Sequence, residues 1–168
     1  MKKIFSIIAF VLTSAFVFSQ NTPQMLVHKA KSRAEFGDYA GAIEDLGKAI
    51  QAEPTCVNAY IERALVRQQS GDKKGALMDF DMAVAIDSIN VRAFNARGNL
   101  LQDMGKNEEA LADFDRAIQL FPTYGNAFIN RGRLKLKMGD KNGACADFTS
   151  AAIYGKTRAL ELKKKACY

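Results

Sequence analysis

Histidine is nearly absent from this chain: His28 is the only one in 168 residues. A lone histidine with no serine, cysteine or aspartate constellation provides no acid–base relay, and it reads as a surface or capping residue. The sequence contains no C-x-x-C, no H-E-x-x-H and no carboxylates at calcium-loop spacing, so no metal site is expected. The stretches GDYAGA (37–42) and GDKKGA (71–76) have the glycines of a phosphate loop. They lack its preceding strand and its Lys-Ser/Thr ending. No cofactor and no enzymatic activity are expected.

Apolar runs long enough to cross a membrane are also missing. The longest, Ile4 to Phe18, falls short of the ~20 residues a helical span requires. It follows Lys2 and Lys3, and Val17 and Ser19 stand at the −3 and −1 positions of a small-residue cleavage site, the pattern of a secretory signal occupying residues 1–19. No cysteine stands at that boundary, so lipid attachment is not expected. The remaining chain is expected to be exported, to a periplasm or to the secreted space, with no membrane span. In an oxidising compartment its three cysteines allow one disulfide and one free thiol.

Basic residues outnumber acidic ones, 24 to 18. Such an excess can mark a nucleic-acid partner. Here it is local. Lys2 and Lys3 belong to the signal, and the last thirteen residues, KTRALELKKKACY, hold five basic residues against Glu161 alone. Residues 20–155 are balanced, so the body offers no basic face and no nucleic-acid partner is expected.

What the chain does have is repetition. Gly37, Gly71, Gly105 and Gly139 recur at a spacing of 34, as do Ala42, Ala76, Ala110 and Ala144. Leu46, Phe80, Phe114 and Phe148 recur in the same register, each after an aspartate (Asp45, Asp79, Asp113, Asp147), and Ala49, Ala83, Ala117 and Ala151 follow. A fixed period of this length marks a stacked-repeat architecture. Within one unit, Ala110, Phe114, Ala117 and Ile118 form one stripe of a 3.6-residue helix, and Phe94, Arg97, Gly98 and Leu101 form another before it. Gly105 falls where the first helix must end, a position favouring positive φ. Pro54 and Pro122 come just after the second helix. Each unit is predicted to be helix, tight turn, helix.

Residues 91–122, VRAFNARGNLLQDMGKNEEALADFDRAIQLFP, resemble a tetratricopeptide repeat, through Phe94, Gly98, Gly105, Ala110, Phe114, Ala117 and Pro122. The resemblance recurs in four units, 23–56, 57–90, 91–124 and 125–155, followed by a C-terminal capping helix and basic tail over 156–168. The first unit departs from the pattern with Leu26 at the aromatic position and Arg33 where tyrosine is usual, and the second has Ser88 in place of proline. The resemblance implies an all-α, right-handed α-solenoid that binds a peptide or protein segment in a concave groove. The groove positions carried over from the family fall on Asn58 and Gln68, then Arg92, Asn95, Asn99 and Gln102, then Asn126 and Arg133, with Ile61, Leu65, Ile129 and Leu136 among them. Amides satisfy the N–H and C=O groups of an extended peptide, and arginine favours a carboxylate. The pattern departs from the Lys/Asn carboxylate clamp of the chaperone-binding members, because Asn95 and Asn99 stand where Lys and Asn are expected.

Arg63, Arg97 and Arg131 also recur, with Lys29 in the equivalent place. Their co-repeating partners are Asp45, Asp79, Asp113 and Asp147, which implies a ladder of inter-helix ion pairs. Whether each pair forms within or between repeats is left open, as is the alternative of an anion-binding row. Cys145 takes the slot of Ile43, Leu77 and Leu111, but no further repeat follows it. Cys167, downstream in the final helix, is therefore the expected disulfide partner, with plain apolar packing as the alternative. Three functional classes remain. The first is a non-catalytic interaction scaffold of the cell envelope or secreted space. The others are a weakly self-associating structural module and an adaptor using its Lys-rich tail at an anionic surface.

Overall fold

The computed structural model describes residues 22–167, so the signal-like segment 1–19 lies outside the described residues. They contain nine helices and no strand. They fall into two compact units, divided after Asp72.

The first unit comprises α1 (Pro23–Glu35), α2 (Tyr39–Ala52) and α3 (Val57–Gln69). Thr22 caps α1 by accepting the Met25 N–H, and Pro23 opens the helix, where its missing N–H costs nothing. Asp38 caps α2 at the Gly41 N–H, 2.9 Å away. The three helices close on Leu26, Ala30, Ala42, Leu46, Ala49, Ala59 and Val66.

The second unit comprises α4 (Lys73–Ile86), α5 (Val91–Asp103), α6 (Asn107–Leu120), α7 (Gly125–Lys137), α8 (Lys141–Ile153) and α9 (Thr157–Cys167). Each helix packs on the next in sequence, and α5 also touches α7. Asn90 caps α5 and Asp140 caps α8. The core is a row of fully buried residues: Phe80, Phe114 and Phe148, with alanines at the small positions. Two glycines make room for it. A Cβ on Gly98 would come within 2.7 Å of Phe114, and one on Gly132 within 2.8 Å of Phe148. In the first unit the smaller Leu46 replaces phenylalanine, and Ala30 takes the glycine slot.

The turn after α5 shows why a glycine recurs once in every repeat. Gly105 has φ +79°, and the N–H of Lys106 reaches back to the Leu101 carbonyl at 2.9 Å, closing off the helix's last orphan acceptors. The same device follows α8: Gly155 has φ +77°, and the Lys156 N–H donates to the Ala151 carbonyl. That turn is tighter than the connections containing Pro54 and Pro122, and it brings α9 in early. The fully buried Ala159 follows Ala127 two positions sooner than Ala127 follows Ala93. The final helix is thus a first helix with no second helix to follow it among the described residues.

Candidate functional site

The recurrent arginines settle on aspartates in two directions. Arg97 grips the buried carboxylate of Asp113 with two parallel hydrogen bonds, from Nε at 2.8 Å and Nη2 at 2.7 Å. Its remaining nitrogen, Nη1, reaches Asp81 at 2.8 Å. Arg131 repeats the arrangement with Asp147 (2.9 and 2.6 Å) and Asp115 (2.6 Å). One carboxylate lies sixteen residues ahead, within the repeat, and the other sixteen behind, on the preceding one. Within-repeat and between-repeat pairing therefore coexist, using different aspartates. Asp81 and Asp115 also recur at 34, and that recurrence is the signal for them. Each guanidinium lies over an aromatic ring, 5.6 Å from Phe94 and 5.5 Å from Phe128. Hydrogen bonding to Asp113 holds Arg97 above its ordinary pKa range despite burial, and Asp147 does the same for Arg131. These arginines are committed to structure and are not offered to a ligand.

The ladder changes its chemistry at the ends. Asp45 receives Lys29 at 3.3 Å and Arg33 at 3.0 Å, so the unusual Arg33 completes the pair where lysine replaces arginine. Lys135, at the same register position as Arg33, adds a second cation to Asp147 at 3.1 Å. Arg63 lies 5.6 Å from the Tyr60 ring centroid, and Asp79 is buried in the second unit.

The groove residues separate by unit. In the first, Asn58 is exposed and Gln68 half-buried. A hollow of about 190 Å³ there is lined instead by Lys31, Glu35, Glu62 and Leu65 among others, with Lys31 paired to Glu62 at 3.6 Å. In the second unit, a concavity of about 420 Å³ is built by α5, α7 and the start of α9. Asn95, Asn99, Asn126 and Arg133 line it, and so does Ile129. Asn99, Gln102 and Arg133 also line an adjoining hollow of about 440 Å³ with Lys137 and Asp103. Arg92 is exposed at the start of α5 and lines neither.

Five lining residues escape the sequence pattern: Asn130, Gly155, Lys156, Thr157 and Arg158. Asn130 donates to the Asn95 side-chain oxygen at 3.0 Å. This bond braces Asn95, which is only 9% exposed and lines the concavity. The stem of Lys156 lies over Gly125, whose missing side chain admits it. The lining as a whole carries four asparagines and three cations, Arg133, Lys156 and Arg158, with no carboxylate among the described residues that form it. Such a surface favours an extended backbone and negative charge.

Cys145 on α8 and Cys167 at the end of α9 are joined by a disulfide, with their Cα atoms 5.9 Å apart, inside the usual range. Cys56 is free. Among the described residues, no group of three or more His, Cys, Asp or Glu side chains is placed to hold a metal ion, and no helix is long and apolar enough to cross a membrane.

Known proteins of similar fold share this helical pairing. The crystal structure of MamA is 20% identical, with 88% of this chain and 86% of that one covered and a TM-score of 0.73. Pseudomonas aeruginosa pilF is 23% identical, covering 85% and 69%, with a TM-score of 0.74. The first TPR of Spaghetti (RPAP3), bound to the HSP90 peptide SRMEEVD, is 24% identical, covering 70% and 94%, with a TM-score of 0.66. No curated protein matches the sequence. The sequence pattern of the tetratricopeptide repeat matches residues 91–124, and a second pattern of the same description matches residues 28–88. With its helix pairs, glycine turns and all-α helical-repeat solenoid fold, the chain belongs to the tetratricopeptide repeat family.

Proposed function

We propose that this protein is a non-catalytic scaffold that holds an extended, acidic peptide segment in the concavity of its second unit. One observation carries the reading: four asparagines and three cations converge on a single surface whose lining includes no carboxylate. The asparagines match peptide N–H and C=O groups, and Arg133, Lys156 and Arg158 match a carboxylate, either a side chain or a chain end. The fold neighbour bound to SRMEEVD, a peptide with three acidic residues, gives a precedent for this class of ligand. The scaffold acts outside the cytoplasm in this reading. The signal-like pattern of residues 1–19 supports export, and the Cys145–Cys167 bond accords with an oxidising compartment.

Fluorescence anisotropy with labelled penta-glutamate and penta-lysine peptides tests the proposal. The glutamate peptide is expected to bind and the lysine peptide not. The Arg133→Gln/Arg158→Gln variant removes two charge-assisted partners and is expected to weaken glutamate binding by about tenfold or more. Both side chains are exposed, so the fold tolerates the change. Equal binding of both peptides, or an unchanged affinity in the variant, would sink the reading.

A further inference from the structure

Arg158 of the ninth helix and Lys156 just before it supply two of the three cations at the concavity, yet little apolar contact holds the helix. It has 11 residues, short of the ~12–15 at which an isolated helix becomes even marginally stable in water. Ala159 is its only buried side chain, and Leu162 packs half-buried beside Phe128, Ile129 and Ala151. The helix has two fixed ends. One is the turn in which the Lys156 N–H bonds the Ala151 carbonyl, and the other is the disulfide from its last residue, Cys167, to Cys145 on α8. Both cysteines are half-buried, so a small thiol can approach them.

We propose that the Cys145–Cys167 bond is a redox latch on the peptide site. The inference rests on the peptide-binding reading above and adds its regulation. A dithiol reductant opens the latch: its thiolate attacks one sulfur, a mixed disulfide forms, and the second thiol resolves it. Two electrons and two protons pass to the protein, leaving Cys145 and Cys167 as thiols and the reductant as its disulfide. With its C-terminal end released, α9 frays toward Arg158. Arg158 then loses its fixed position relative to Lys156 and Arg133, and a ligand must order it on binding. The oxidised protein binds an acidic segment, and the reduced protein lets it go.

Two readouts on the purified protein, oxidised and then reduced with dithiothreitol, test the latch. Hydrogen exchange over residues 157–167 is expected to quicken on reduction by on the order of tenfold or more, while α5 and α7 keep their protection. The dissociation constant for labelled penta-glutamate is expected to rise by about tenfold or more, and to recover on reoxidation. The Cys145→Ala/Cys167→Ala variant should match the reduced protein and ignore the reductant. The reoxidation arm decides the matter without the variant if that variant does not fold. Unchanged exchange over 157–167 overturns the latch, whatever the peptide does. Faster exchange with unchanged peptide affinity overturns the coupling and leaves the peptide reading standing. Failure of the oxidised protein to bind penta-glutamate overturns the peptide reading, and exchange then judges the latch alone.

Discussion

Replacing Arg97 with methionine should destabilise the protein by about 3–5 kcal/mol, the usual cost of leaving a buried charge without its partner. Asp113 is the charge at stake. Its side chain is 7% exposed, and the two hydrogen bonds from Arg97 are its only side-chain ion pair among the described residues. No second cation stands by, because Leu101 occupies the position filled by Arg33 and Lys135 in other repeats. The equivalent Arg131→Met change should cost less by at least about 1 kcal/mol, since Lys135 remains 3.1 Å from Asp147 and keeps that charge compensated. By contrast Asp81→Ala should fall within about 1 kcal/mol of wild type, because Asp81 is 56% exposed and water replaces its partner. Urea midpoints at constant slope measure all three. Equal losses for the two arginine variants would show that Lys135 contributes nothing.

Phe114→Ala is expected to cost about 3–5 kcal/mol, because the ring is fully buried and its neighbours cannot collapse into the space. Its contact with Gly98 makes a sharper test. Gly98→Ala alone places a Cβ 2.7 Å from an immobile ring, and overpacking of this kind costs about 1–3 kcal/mol. In the Phe114→Ala background the same alanine faces a void, loses the clash and keeps its better helix propensity. The double variant should therefore be more stable than the sum of the single losses, and its thermal or urea unfolding reads the coupling directly. Strict additivity would mean that Gly98 recurs for some reason other than room for the ring.

The repeat made most of the fold legible. Gly105 and Phe114 each have a local physical job that only one residue type performs well, so each leaves its mark again in the repeats that follow. The lining of the concavity was half legible by the same logic, since Asn95, Asn99, Asn126 and Arg133 sit on family positions of first helices. Asn130 was hidden because its role, bracing Asn95, is a contact between neighbouring helices that one helical stripe does not reveal. Lys156, Thr157 and Arg158 were hidden for another reason. The glycine turn at Gly155 shortens the connection, so α9 enters out of phase and a search at the repeat period misplaces its whole face. Arg33 looked like a departure from the family, yet it answers the replacement of arginine by Lys29 opposite Asp45.

The two-sided grip of Arg97 has a consequence for how such a chain can grow. Its carboxylates lie sixteen residues ahead and sixteen behind, and Arg131 keeps the same distances. A tandem copy of residues 91–124 inserted after Tyr124 would give each arginine, old and new, one aspartate in both directions, with no side chain left to be redesigned. The electrostatics are copied along with the segment, so lengthening by internal duplication starts from a structure in which every such guanidinium already has both of its carboxylates. The shortened turn at Gly155 departs from that spacing, so a copy placed after it would not inherit the same partners.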